Sequence, residues 1–185
     1  VDLFEVAVNS SFFSLDKNES DTQKRKEDSK IIAVTGTNGK TSVVRLLTKL
    51  LCSLGFDAQC AGNTRPSLIE AILERKKTNK RPDFWVLELS SFQLALTNFF
   101  SPTFSTILNF SQDHLDWHES EKDYLDAKLK VFGTPAPKGT FLVCRGDKVL
   151  ENKIKKYLDA KLIYNNKEMI LTYGADNPNS KNDFG

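Results

Sequence analysis

The sequence predicts an α/β fold built on a mostly parallel sheet that is flanked by helices. Short apolar runs alternate, from Ile31 onward, with segments that have helical periodicity. The runs are apolar at nearly every position, which is typical of parallel strands that are buried on both faces. A glycine-rich turn at 35–41 joins the first of these runs to the first helical segment.

Four segments are predicted to be helices. The first, 41–54, repeats its valines and leucines at helical spacing and stops before Gly55. The second opens at Pro66, which suits a first helical turn, and ends in the cationic run 74–77, which suits a last turn. The remaining two are predicted at 121–132 and 148–158.

Strands are predicted at the apolar runs that separate these helices. They span 31–34, 57–61, 84–89, 104–110, 140–144, 162–164 and 169–173. Some strands near the C-terminal end are expected to be antiparallel. In mainly parallel sheets, ligands bind outside the carboxyl ends of the strands, so polar residues at those ends are the candidates for function.

Composition narrows the classes of function. The 185 residues carry a formal net charge of +2 and are 39% hydrophobic, as in a soluble globular protein. So small a net charge predicts neither a nucleic-acid nor a membrane partner, and no stretch approaches the length of a membrane span. The three cysteines lack metal-type spacing, which predicts reduced core thiols and a cytoplasmic location.

The turn Thr35-Gly36-Thr37-Asn38-Gly39-Lys40-Thr41 has the features of a phosphate-binding loop. Its glycines let the backbone approach an anion, and the amides at the start of the next helix point at it. Lys40 would contact the β- and γ-phosphates of a nucleotide, and the Thr41 hydroxyl would ligate Mg²⁺. An ordinary strand–turn–helix connection would require the glycines but not the Lys-Thr pair. Val34 replaces the first glycine of the general motif, so this is a shorter variant.

Three further strand ends carry polar groups. Asn63 follows Gly62 after the second strand, Glu88 lies within an apolar strand, and the polar run from Asn109 to His114 follows another. An unpaired buried carboxylate is costly, so Glu88 requires either Mg²⁺ held with Thr41 or an ion pair with an Arg or Lys. His114 is either a metal ligand or a helix-capping group.

In their order along the chain, these motifs resemble the central ATP-binding domain of the Mur ligase family. The phosphate loop is followed by Gly62-Asn63, Leu87-Glu88-Leu89-Ser90-Ser91-Phe92-Gln93-Leu94, Asp113-His114-Leu115-Asp116, and Tyr124 four positions before Lys128. The likeness covers about 31–174, with a weaker one at 1–4. The segment around Glu88 is most similar to the D-glutamate-adding members.

The resemblance implies a P-loop NTPase-like fold and an ATP-dependent, ADP-producing ligase of bacterial peptidoglycan synthesis. Such an enzyme joins D-glutamate to UDP-N-acetylmuramoyl-L-alanine through an acyl phosphate. It further implies two Mg²⁺ ions, one bound by Thr41 and Glu88 and one by His114 and a Lys128 carbamylated by CO₂. From the residues alone, Lys128 would be interpreted as a solvated helix lysine.

Roles for individual residues also follow from the resemblance. Lys40, His114 and Lys128 are expected to be catalytic, while Asn63, Ser90 and His114 are expected to contact the muramoyl substrate. The ATP phosphates are expected to be bound by residues of the loop: Gly36, Thr37, Asn38, Gly39, Lys40 and Thr41.

The expected domain organisation comes from the same resemblance. Residues 1–30 would be the remnant of a link from an N-terminal domain and a charged flexible tether. Residues 31–185 would be the central domain, ending before the adenine-contacting segment and the C-terminal domain, so the chain alone is expected to be inactive. Two departures stand out: Arg65 would contact substrate phosphate or cap the next helix, and Arg145-Gly146-Asp147 replaces the usual Asn-Ala-Asp.

Two alternatives to this function stay open. One is another amide ligase of the same superfamily, of the folylpolyglutamate synthase type, against which the Ser90–Gln93 segment argues. The other is a non-catalytic nucleotide-binding module. A GTPase switch is disfavoured because the sequence has no Asn-Lys-x-Asp motif.

Overall fold

A computed structural model describes residues 29–111, 116–161, 170–178 and 180–184. The strands are β1 Lys30–Thr35, β2 Ala58–Gly62, β3 Phe84–Glu88, β4 Phe104–Ile107, β5 Thr140–Cys144, β6 Ile170–Tyr173 and β7 Asp183–Phe184. The helices are α1 Lys40–Ser53, α2 Leu68–Thr78, α3 Ser91–Leu96, α4 Glu121–Leu129 and α5 Lys148–Lys161, and a short 3₁₀ turn at Lys130–Phe132 continues α4. The predicted 1–30 link and tether falls on undescribed residues except for Ser29 and Lys30, and Lys30 opens β1.

The strands form one sheet in the order β2-β3-β1-β4-β5-β6-β7. Each neighbouring pair is parallel, which confirms the predicted α/β fold. The expectation of antiparallel strands near the C-terminal end is wrong for the described residues, because α5 lies between β5 and β6, which pair in parallel, and β7 pairs with β6 in parallel as well. The strand predicted at 162–164 lies outside the described residues.

Both faces of the central strands are covered, as their unbroken apolar character predicts. In β3, Trp85 and Leu87 belong to the larger cluster on one face of the sheet, whereas Val86 packs with Val34 and Val44 on the face covered by α1. These side chains are at most 1% exposed, and burying one of this size stabilises the fold by about 1.5–3 kcal/mol. The buried sheet holds the strand ends in fixed positions.

Two helix starts differ from the sequence prediction. Ser67 caps α2 in a reciprocal capping box with Glu70, so Pro66 precedes the cap and does not open the helix. Ser90 caps α3 in the same way with Gln93, and α3 was not predicted. A serine followed three positions later by Glu or Gln is the signature of this cap, and it was present in the sequence at both places.

Two further properties of the described residues concern the helices and the cysteines. Within the described residues, no helix is both long enough and apolar enough to cross a membrane. The three cysteines are free thiols, and Cys52 is exposed while Cys60 and Cys144 are partly exposed. The prediction that all three are core residues is therefore wrong, because helical and strand positions at the edge of an apolar run can still face outward.

Candidate functional site

The phosphate loop lies at the carboxyl end of β1 and leads directly into α1. Gly39 has a φ of 81° at the start of the helix, a left-handed conformation that a residue with a side chain adopts only at a cost. The Lys40 ammonium donates hydrogen bonds to the carbonyl oxygens of Gly36 and Thr37, both at 2.9 Å. The backbone of the loop therefore binds the Lys40 ammonium, and an anion bound by the loop would lie near this positive charge.

Asn109, two positions beyond the end of β4, shapes this loop; it was predicted only as one of the polar residues that follow this strand, with no role of its own. Its Oδ1 accepts hydrogen bonds from the backbone amides of Thr37, at 3.1 Å, and Asn38, at 2.9 Å. Its Nδ2 donates to the Asn38 carbonyl oxygen at 3.0 Å. Because the first amides of an α-helix have no intrahelical partner, those at the start of α1 are the donors that remain for an anion.

Glu88, at the end of β3, is 3% exposed and is held by neutral groups. Its Oε2 accepts a hydrogen bond from Thr41 Oγ1 at 2.7 Å, and its Oε1 accepts one from Asn63 Nδ2 at 3.2 Å. None of the Lys or Arg residues in the described ranges forms an ion pair with it. The structural ion-pair interpretation therefore fails for that part of the chain, and a carboxylate beside a hydroxyl fits Mg²⁺, which prefers oxygen ligands.

Gly62 explains how Asn63 reaches this carboxylate. A Cβ atom at Gly62 would lie 2.2 Å from the Glu88 carbonyl oxygen, and its φ is +118°. Without a side chain the two strand ends approach closely, and the Asn63 amide donates to the same carbonyl oxygen at 2.7 Å. The lack of a side chain at Gly62 thus allows the close approach of the two strand ends, which brings the Asn63 side chain to the Glu88 carboxylate.

Lys128 on α4 is 2% exposed, so its interpretation as a solvated helix lysine is wrong. Its ammonium donates to the Gly36 carbonyl oxygen at 2.9 Å and lies 4.4 Å from the centroid of the Tyr124 ring. Lys40 and Lys128 therefore share one carbonyl oxygen of the phosphate loop. A carbamylated lysine keeps one N–H, so this hydrogen bond is compatible with either form of the side chain.

His114 lies outside the described residues, so its predicted roles stay predictions. Within the described part of the chain, no group of three or more His, Cys, Asp or Glu side chains is placed to hold a metal ion. Such a group is not needed for Mg²⁺ at a nucleotide, because this ion keeps several waters and is held by one or two protein oxygens plus phosphate.

The remaining candidates are placed at the edge of the site or away from it. The Ser90 hydroxyl serves the cap of α3, accepting from the Gln93 amide at 3.2 Å and donating to its Oε1 at 3.1 Å. Arg65 is exposed, and because Ser67 caps α2, the capping alternative for Arg65 is wrong.

Arg145 has a structural role that its sequence position did not reveal. It is 5% exposed, and its guanidinium bonds to Asp176 Oδ1 at 3.0 Å and to Thr172 Oγ1 at 3.0 Å. The hydrogen bond from Arg145 holds the pKa of the Asp176 carboxyl below its usual range. Arg145 thereby joins β5 to β6 and the segment after it.

The carboxyl ends of β1, β2 and β3 bring together Lys40, Thr41, Asn63 and Glu88, and α4 adds Lys128, which bonds to the same loop. A parallel α/β sheet with such a loop after its first strand defines a phosphate-loop domain. The family model of the Mur ligase middle domain matches residues 34–184. The chain belongs to this family, as the order of its motifs predicted.

Individual relatives agree with this assignment. The UDP-N-acetylmuramoylalanine–D-glutamate ligase of Nitrosomonas europaea is 36% identical over 156 residues, which are 84% of this chain and 31% of that protein. A solved UDP-N-acetylmuramoyl-L-alanyl-D-glutamate–2,6-diaminopimelate ligase is 26% identical, with a TM-score of 0.65 over 83% of this chain and 34% of that one. The MurF ligase of Thermotoga maritima, solved with ADP, is 18% identical and shares the fold, with a TM-score of 0.58 over 80% of this chain and 33% of that one. The chain thus spans about a third of the length of these relatives.

Proposed function

We propose that the chain is the ATP-binding domain of a bacterial, cytoplasmic ligase that adds D-glutamate to UDP-N-acetylmuramoyl-L-alanine. The observation that carries the proposal is the buried Glu88 carboxylate bonded to Thr41 Oγ1 at 2.7 Å, directly after the loop that holds Lys40. The D-glutamate-adding relative at 36% identity supports the choice of amino acid. Residues 31–185 form the central domain in this proposal, and 1–30 the link and tether.

The residues of the loop are suited to the first chemical step, which moves the γ-phosphate of ATP to a substrate carboxylate. Enzymes catalyse phosphoryl transfer mainly by positioning and by stabilising charge. Lys40 and the first amides of α1 would hold the β- and γ-phosphates, because both present positive charge at one place. The MurF relative was solved in complex with ADP, which supports nucleotide binding in this proposal.

Thr41 and Glu88 would hold one Mg²⁺, which would offset the charge of the phosphates. Lys128, as a carbamate, would hold a second Mg²⁺ together with His114. The buried position of Lys128 beside Gly36 supports this role, since a surface lysine would not face the phosphate loop. Asn63 would orient Glu88, and Asn63, Ser90 and His114 would contact the muramoyl substrate.

The second step uses the acyl phosphate as an activated carboxyl group. The amino group of D-glutamate attacks its carbonyl carbon, an amide bond forms and inorganic phosphate leaves. The chain spans 31% of its Nitrosomonas europaea relative, so we propose the activity for a longer protein and expect the chain alone to be inactive.

Amino-acid selectivity tests the proposal. The longer protein is incubated with ATP, UDP-N-acetylmuramoyl-L-alanine and either D-glutamate, L-glutamate or diaminopimelate, and products are identified by mass spectrometry. We expect a product only in the incubation that contains D-glutamate. In a parallel incubation with ATP, a folate and L-glutamate, formation of a glutamylated folate would instead indicate a ligase of the folylpolyglutamate synthase type. ATP binding without any product would indicate a non-catalytic module.

A further inference from the structure

A buried histidine with no part in the proposed mechanism lies between α3 and α4. His118 is 5% exposed, and its Nε2 lies 3.0 Å from the hydroxyl oxygen of Ser91. Ser91 is itself 2% exposed. The imidazole also stacks on Phe92, with the ring planes 6° apart and the centroids separated by 5.7 Å. His118 therefore holds the first two residues of α3.

The His118 ring also contacts Tyr124, and Tyr124 in turn contacts the phosphate loop. The centroid of the His118 ring lies 5.1 Å from that of Tyr124. The Tyr124 hydroxyl lies 3.4 Å from Thr37 Oγ1 in the loop, and the Tyr124 ring faces the Lys128 ammonium at 4.4 Å. The His118 imidazole thus contacts both the start of α3 and Tyr124. Tyr124 in turn contacts the phosphate loop and Lys128.

The position of α3 depends on tertiary contacts such as those that His118 makes with Ser91 and Phe92. The helix has six residues, and isolated helices this short are not stable in water. Its first residue lies three positions after Glu88, and it is capped by Ser90, which is proposed to contact substrate. A displacement of the start of α3 would therefore move Ser90 relative to the metal-binding carboxylate.

We infer that His118 is a positioning residue of the proposed ligase, whose bond to Ser91 and stacking in the Phe92–Tyr124 cluster fix the start of α3 relative to the phosphate loop. The inference rests on the proposed function. A purely structural aromatic residue would be replaced by phenylalanine without consequence, because phenylalanine packs and stacks equally well. The hydrogen bond to Ser91 is the feature that phenylalanine lacks.

The test compares His118→Phe, Ser91→Ala and the double variant in the longer protein. The assay follows D-glutamate-dependent phosphate release well below the melting temperature of each variant. We expect each single variant to lower kcat about tenfold, the lower end of the loss that follows removal of an outer-shell hydrogen bond at a metal site, with KM for ATP changed less than twofold. The double variant should be no worse than either single one, and His118→Gln, whose amide can bond to Ser91, should recover much of the loss.

Thr97→Val is the matched control. Thr97 is buried at the other end of α3, and its hydroxyl donates to the Gln93 carbonyl oxygen at 2.7 Å. This variant should lower the melting temperature and leave kcat unchanged.

Wild-type kcat in His118→Phe, or additive losses in the double variant, would overturn the role of His118 while leaving the proposed function intact. An inactive wild type would overturn the proposed function and this role with it. Should His118→Phe fail to fold, Ser91→Ala and His118→Gln decide the same question.

Discussion

The hydroxyl of Thr41 donates a 2.7 Å hydrogen bond to the Glu88 carboxylate across 47 residues of sequence. The bond joins the first turn of α1 to the end of β3, so the phosphate loop and the buried carboxylate form one unit. Glu88 would be unfavourable here if it were isolated, since an unpaired buried charge is costly. The bonds from Thr41 and Asn63 fix both oxygens of the carboxylate, to which the proposed Mg²⁺ would bind.

Glu88→Gln should impair Mg²⁺-dependent activity of the longer protein more than its stability. The amide keeps the shape of the side chain and can accept the bond from Thr41, but it is a far poorer ligand for a hard dication. We expect the Mg²⁺ titration of phosphate release to shift to higher concentration and kcat to fall. Glu74→Gln, at an exposed position paired with Lys77, is the control. A Glu88→Gln titration that superimposes on the wild type would show that Glu88 is structural.

Lys128→Ala should abolish activity, and short carboxylic acids added to the buffer should restore part of it. The reason is that the carbamate hypothesis requires an anion at this buried position, and a small acid can replace an anion. Lys122→Ala, on the exposed face of the same helix where Lys122 pairs with Asp126, should remain active without any acid. Rescue of Lys128→Ala by small amines, and not by acids, would indicate a structural cation.

Gly62→Ala should destabilise the chain by at least about 2 kcal/mol, since backbone strain and overpacking each cost about that much. The new Cβ would lie 2.2 Å from the Glu88 carbonyl oxygen at a φ of +118°. Gly55→Ala is the matched control, because Gly55 also has a positive φ, +89°, but no atom lies within 4 Å of its Cβ position. Urea unfolding should give a clearly larger loss for Gly62→Ala, and equal losses would contradict the close approach.

Glu151 on α5 should make stability depend on pH. Burial raises the pKa of this carboxyl, but hydrogen bonds from Lys155 and Lys148 outweigh burial and hold the pKa below its usual range. A pKa lowered in the folded state favours folding above the unfolded-state value, about 4.3, and this contribution is lost as the pH falls through the folded-state pKa. Glu151→Gln should therefore be less stable than the wild type near pH 7, with the difference shrinking in acid. A difference that is constant between pH 7 and pH 3 would contradict this.

The sequence was sufficient to predict the features that are encoded locally. The apolar runs identified β1 and β3, the loop showed its glycines and Lys-Thr pair, and the carboxylate within the apolar run at 84–89 indicated that Glu88 is buried and needs polar partners. Each of these signals lies within a few residues, and the neighbouring carboxyl ends of parallel strands follow from the fold class.

Features that depend on tertiary contacts were missed or misinterpreted. The burial of Lys128 depends on where α4 packs, and helical spacing alone does not distinguish a lysine on a solvated face from one aimed at the loop. Asn109 and His118 act on segments 72 and 27 residues away, which no local pattern reports. The capping box at Ser90 differs from these features, because Ser90 and Gln93 are three positions apart and the signal is local.

The most direct test of the central claim is phosphate release from ATP by the longer protein, measured with each substrate omitted in turn. The account predicts release only when ATP, Mg²⁺, UDP-N-acetylmuramoyl-L-alanine and D-glutamate are all present. It also predicts loss of release in Lys40→Ala, because removing a charge-assisted phosphate contact raises the barrier by about 3 kcal/mol, and no loss in Lys49→Ala on the exposed face of α1. Release at the wild-type rate in a folded Lys40→Ala variant, or release that does not require D-glutamate, would contradict it.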